Sequence, residues 1–326
     1  MTPTGPDERH DETPAGVREI ARPASDVERE LKGDLPCVRC RYNLRGISVR
    51  GSCPECGTPI RVTILARVDP YAPILRPIVL PHITAGGILL WTGGAAAAAL
   101  LTCVMRAEDF VREVGSSDVA ARLIPSHSLA SASVFAILAS ALGALAIVRP
   151  HAGMSRRNCL LAAIGVVALI GVACFHMRIQ VDFDESHTRP YVNLDQLPLT
   201  ERSWWRLGQS AMIAACVLLL RPNARLLAAR SLLLRMGRVD RQTMLALVAA
   251  LGVAAVGDVV HLVAHALGSG SMSQVLAMIG TFTIAVGSML LLVGLIGMVV
   301  DSVRVASAVA RPPVSMSALL HADGTK

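Results

Sequence analysis

Charge and aromatic side chains are scarce in this sequence. Only 17% of its 326 residues are charged and 3% are aromatic, whereas a soluble chain of this length is about a quarter charged. That combination excludes an ordinary soluble globular domain. Enzyme signatures are missing too: there is no H-E-x-x-H, no P-loop, no G-x-S-x-G and no dinucleotide fingerprint. An intramembrane enzyme therefore ranks last among the functional classes, since no nucleophile and base pair can be picked out. The two halves show no hydropathy repeat of the kind many transporters carry. A secretory leader is not expected, because the first apolar block begins near Ile78, behind a long charged stretch.

Apolar residues make up 53% of the chain, and they are gathered into blocks. A helix rising about 1.5 Å per residue needs roughly 20 apolar residues to cross a hydrocarbon core about 30 Å thick. Blocks at 80–105, 127–148, 158–177, 243–267 and 275–300 meet this length or nearly so. A sixth, 204–220, is shorter and contains Arg206, but Trp204 and Trp205 at its head suit an interfacial anchor.

Loop charges support the count. The loop 149–157 carries Arg149, Arg156 and Arg157 with no acid, and 221–242 holds six Arg against Asp240. Loops 106–126 and 178–206 have more acids than bases, and 268–274 is uncharged. Basic excess alternates with its absence at every crossing, as six spans with both ends in the cytosol require. The predicted fold class is an all-α polytopic membrane bundle of about six transmembrane helices, with a small N-terminal β zinc ribbon. Its predicted location is the cell inner (cytoplasmic) membrane. Residues 1–36, with nine acidic and five basic side chains, read as a disordered acidic tail. The ribbon is placed at 37–60, the transmembrane domain at 78–301 and a cytosolic tail at 302–326. The stretch 221–242 reads as a basic amphipathic helix along the inner leaflet, with its arginines near anionic head groups. The small residues of the spans, such as Gly93 and Gly94 before five alanines, let helices approach closely in lipid.

The strongest motif is Cys37-Val-Arg-Cys40, then twelve residues, then Cys53-Pro-Glu-Cys56-Gly57. Each C-x-x-C turn sets two thiolates side by side, and two such turns close a tetrahedron around zinc. A disulfide pair or a redox C-x-x-C is disfavoured by the cytosolic placement and by the matched pairs. Four cysteines leave no open position, so a structural Zn2+ is expected rather than a catalytic one. The run from Cys37 through Tyr42, Asn43 and Gly46 to Gly57 resembles a short zinc ribbon found ahead of transmembrane helices in uncharacterised bacterial membrane proteins. The resemblance covers only residues 37–59. It implies zinc binding by the four cysteines and a cytosolic position, but no activity. Arg41 departs from it, standing where such knuckles often carry glycine.

Arg39, Arg41, Arg45 and Arg50 could neutralise phosphates, but Tyr42 is the single aromatic of this segment. Base stacking is poorly provided for, so nucleic acid is an unlikely partner and a protein contact is favoured. Within the spans, Asp258 is the one clear acid, and such a residue is a functional candidate by default. It opens the run Asp258-x-x-His261-x-x-x-His265, whose members fall within about 60° of one another on a helix. His127, His176 and Cys174 are expected near the same outer end. An outward-opening pocket that binds a metal or relays protons is one reading of this set. Haem ligation by His261 and His265 ranks lower, since paired axial ligands normally come from different helices. The plainer alternative is a neutral Asp hydrogen-bonded within the bundle. The function expected first is a membrane protein whose cytosolic ribbon makes protein contacts, for assembly or regulation. The alternative is a small transporter or redox or metal carrier using Asp258, His261 and His265.

Overall fold

The computed structural model describes residues 30–68, 78–114, 126–151, 153–184, 200–231, 243–268, 270–311, 314 and 316–320. The chain divides into two compact units: Met1–Ala72 with Val314–Lys326, and Pro73–Pro313.

The first unit is built around the cysteines. Helix α1 (Ile60–Arg67) follows Pro59 and buries Ile60, Thr63 and Ile64, the i, i+3, i+4 set that makes one helical face. It ends where Val68 turns extended and donates its amide to the Ile64 carbonyl. Among the described residues, β-pairing takes the form of isolated bridges, three of them antiparallel: Glu30 with Ser48, Pro36 with Asn43, and Ser52 with Pro59.

Two differences from expectation appear at the edges of this unit. Residues 30–36, assigned above to the tail, pack into it: Leu31 and Leu35 are fully buried beside Leu44, Ile60, Cys37 and Cys53. Residues 1–29 of that tail lie outside the described residues. At the other end, Val314 pairs in parallel with Val68. The short helix at Met316–Leu320 (α8, the last in chain order) brings Leu319 and Leu320 into the same core. The Leu319 carbonyl accepts hydrogen bonds from the Lys32 amide at 2.8 Å and the Gly33 amide at 3.1 Å. Isolated leucines in short, otherwise polar stretches are invisible as core until their partners, far away in sequence, are known.

The second unit contains six helices long and apolar enough to cross a membrane. They are α2 (Pro81–Val114), α3 (Ser126–Val148), α4 (Arg156–Ile179), α5 (Thr200–Ala228), α6 (Thr243–Ala266) and α7 (Ser271–Ala310). Each packs on the next in sequence, and α7 closes on α2, so the six form a ring. Their outward faces carry large apolar side chains: Phe135, Phe282 and Val293 are 69%, 70% and 67% exposed. Apolar exposure on this scale suits contact with lipid or with another protein.

Small residues set the close approaches in the ring. A Cβ on Gly143 of α3 would sit 2.3 Å from the Trp91 amide nitrogen of α2, so only glycine allows that crossing. The end of α3 is tied to α5, where the buried Asn223 amide donates to the carbonyls of Ile147 at 3.0 Å and Val148 at 3.2 Å. Those are terminal carbonyls without a partner inside their own helix. The span expected at 204–220 extends in both directions. Residues 221–228, expected in an in-plane helix, are instead the last two turns of α5, and 232–242 lie outside the described residues. Helix α7, 40 residues long, measures ~60 Å. Its last turns, expected in a tail, therefore continue as helix beyond the length a bilayer needs.

Candidate functional site: a four-thiol cluster and a buried ionic layer

The two knuckles are built alike, offset by sixteen residues. Cys37 and Cys53 each donate their amide to a carbonyl five residues on (Tyr42 at 2.8 Å, Thr58 at 2.9 Å). Their carbonyls accept from Arg41 at 3.1 Å and Gly57 at 2.9 Å. The first cysteine of each pair is buried, while Cys40 is exposed and Cys56 half-buried. All four sulfurs lie within 4.8 Å of one another. Across the knuckles, Cys37 Sγ is 3.6 Å from Cys56 Sγ and Cys40 Sγ is 3.5 Å from Cys53 Sγ. A disulfide needs about 2.05 Å. A tetrahedron with ~2.3 Å metal–sulfur bonds has edges of ~3.8 Å. The spacing thus fits four thiolates on one metal ion and does not fit two disulfides.

The backbone prepares these thiols for ligation. Hydrogen bonds from the Cys40 and Arg39 backbone pull Cys37 down to about 6, and the Thr58 hydroxyl and amide lower Cys56. Cys40 accepts from the Tyr42 backbone, yet partial desolvation and the three neighbouring sulfurs push it up to about 12. A cluster without a cation cannot hold four thiolates; a bound cation would draw off the remaining protons.

Arg41 and Gly57 occupy equivalent turn positions, with φ of 65° and 68°. The departure from glycine at Arg41 therefore falls where the backbone is left-handed. Open space surrounds a Cβ at Gly57, so Gly57→Ala should cost about 1–2 kcal/mol from backbone strain alone. Arg41→Gly should change stability less, because relief of strain is offset by a freer unfolded chain. Chelator-competition titrations of both variants check this. Equal losses in both would count against equivalent turns.

A second set of polar residues lies inside the helical ring. Asp258 on α6 is 1% exposed, and Arg206 on α5 places its Nε 3.1 Å from Asp258 Oδ1. One turn back on α5, the buried Arg202 Nε lies 3.0 Å from Asp184 Oδ1, and Arg106 of α2 pairs with the other oxygen of Asp184. Arg202 is also an electrostatic neighbour of Asp258. The charges therefore alternate along a row, Arg106, Asp184, Arg202, Asp258, Arg206, whose three middle side chains are buried and whose two ends are partly exposed.

His261 is buried against α7, where Gly280 leaves room for its ring. Its Nε2 lies 3.0 Å from the Ala277 carbonyl and 3.1 Å from the Thr281 hydroxyl. Thr281 already donates to Ala277, so Nε2 carries the ring proton and Nδ1 is the bare nitrogen. His265, one turn further, is exposed. The structure thus brings Asp258 and His261 into one buried layer and turns His265 away.

His176 belongs to a neighbouring network. Gln209 Nε2 lies 3.2 Å from its Nδ1, and its Nε2 lies 2.8 Å from Ser133, which donates to the Ala130 carbonyl. That chain also fixes a neutral ring with the proton on Nε2. His127 and Cys174 are exposed.

Sequence reasoning found Asp258 and missed its partners. Arg206, inside an otherwise apolar span, was the available signal; Arg202, Asp184 and Arg106 read as loop or flanking charges until the fold paired them.

Comparison with protein families, with curated proteins and with solved structures found no match to this chain.

Proposed function

We propose that this chain is a multi-pass protein of the cell inner membrane, with both ends cytosolic. Its N-terminal module would be a structural zinc ribbon serving protein contact, in assembly or regulation. The observation that carries this reading is the four-sulfur cluster, closed on all sides by cysteine and held by two equivalent knuckles. Zinc suits four thiolates in a tetrahedron, and a full ligand set supports folding rather than catalysis. The alternation of basic loops supports the cytosolic side.

The first knuckle offers a face for a partner. Val38 and Tyr42 are exposed there, among the exposed Arg39, Arg41 and Arg45. An aromatic and an apolar side chain ringed by arginine suit an acidic protein surface. A photocrosslinking residue at position 42 in living cells tests this. It should trap one defined adduct, lost in the Arg39→Glu, Arg41→Glu double variant. Absence of an adduct, or one indifferent to the charge reversal, contradicts the contact reading.

The alternative, a small transporter or redox or metal carrier, is favoured by one feature of the ring. The buried His261 Nδ1 has no hydrogen-bond partner among the described residues, and it lies one turn from the buried Asp258. Ion pairing of Asp258 with Arg206 speaks for a structural role and weighs against it. If Asp258→Asn abolishes a cellular phenotype that survives Cys53→Ser, the carrier reading replaces the first.

A further inference from the structure

Between α2, α3 and α4 lies an open groove of about 870 Å³. Its walls are apolar, formed by Ile83 of α2, Leu145 of α3, and Val166, Val167 and Ile170 of α4, with Arg149 at one end. That end is where all three helices terminate. Helix α2 starts at Pro81, α3 stops at Val148 and α4 begins at Arg156. The Val79 amide ties the start of α2 to the Pro150 carbonyl at 3.1 Å.

Arg156 stands seven and fourteen residues before Ala163 and Ile170, two residues that line the groove. At 100° per residue it projects from the same face of α4. Arg149 and Arg156 are both exposed. The segment 149–157 that holds them has no acidic residue, and among the described residues neither arginine takes part in an ion pair.

An apolar furrow along three spans, crowned at the helix ends by two arginines, matches one kind of occupant. We propose that the groove seats an anionic phospholipid, with an acyl chain along the α2–α3–α4 walls and its phosphate between Arg149 and Arg156. Basic sites between helix ends select anionic head groups by charge, and arginine meets phosphate with a planar fork of donors. The inference rests on the membrane reading of the six helices but not on the zinc module.

The test is native mass spectrometry of the full-length protein in detergent, titrated with phosphatidylglycerol or with phosphatidylcholine of identical acyl chains. Wild type should retain phosphatidylglycerol preferentially. Arg149→Ala should weaken that retention about fivefold, and the Arg149→Ala, Arg156→Ala double variant should erase the preference. Ala163→Trp, which fills the groove without changing charge, should remove retention of both lipids. Melting temperature in detergent, unchanged in each variant, shows that the ring is intact. If a variant does not fold, competition for wild type by free inorganic phosphate decides: phosphate alone should displace little, because the acyl chain supplies part of the binding. Equal retention of the two lipids by wild type overturns the proposal. So does a preference that survives the double variant, or full displacement by phosphate. A chain that stays in solution without detergent overturns the membrane reading itself, whatever its lipid preference.

Discussion

Cys53→Ser in the full-length protein will empty the metal site and release the C-terminal segment at the same time. Cys53 is 2% exposed and shares its core with Leu31, Leu35, Leu44, Ile60, Leu319 and Leu320. The unit is small, and among its described residues β-pairing is limited to isolated bridges. A core of this size rarely holds together without a staple. Structural zinc contributes about 10–16 kcal/mol of apparent binding energy in comparable peptides, more than such a core supplies alone. Losing one thiolate should therefore open the knuckles and expose Leu319 and Leu320. Hydrogen exchange reads this directly, because the Lys32 and Gly33 amides donate to the Leu319 carbonyl. Both should exchange at the open-chain rate in Cys53→Ser and in chelator-treated wild type. Cys216→Ser, in the middle of α5, should leave them protected. Continued protection of Lys32 and Gly33 without metal would mean that the leucine core suffices.

Asp184→Ala should destabilise the helical ring by about 3–5 kcal/mol, the cost of leaving a buried charge without its counterion. Asp184 is 4% exposed and faces two arginines, of which Arg202 is itself 3% exposed. Removing the carboxylate takes the shared acid away from the buried Arg202 and the part-buried Arg106. The neighbouring pair of Arg178 and Asp182 is the control. Those side chains are 59% and 29% exposed, so Asp182→Ala should cost less than about 1 kcal/mol. Thermal or denaturant melts in detergent separate the two outcomes. Equal effects of the two substitutions would show that the row of buried charges does not hold the ring together.

The six spans were legible because hydropathy alone determines them: each expected block lies within or largely overlaps a long helix. What hydropathy obscured was the start of α5. Glu201 and Arg202 made the residues before Trp204 look like loop, and the pairing of Arg202 with Asp184, distant in sequence, lets that first turn be buried. The face shared by Asp258 and His261 followed from helical spacing. The exposure of His265 did not, because it depends on where α6 ends, at Ala266. At the four-thiol cluster, spacing picked out all four cysteines that the fold brings together and even the irregular turn at Arg41. It could not reveal that Leu31 and Leu35 belong to the core, since their acidic surroundings read as tail. Nor could it show that Leu319 closes that core, because such a contact has no local signature.

The most direct test of the four-thiol site is the metal content of the purified full-length protein, by elemental mass spectrometry, beside that of Cys53→Ser. One zinc per chain in wild type and none in the variant is the expected result. No metal in wild type, or a zinc that survives Cys53→Ser, would contradict the assignment of Cys37, Cys40, Cys53 and Cys56 as a single metal centre.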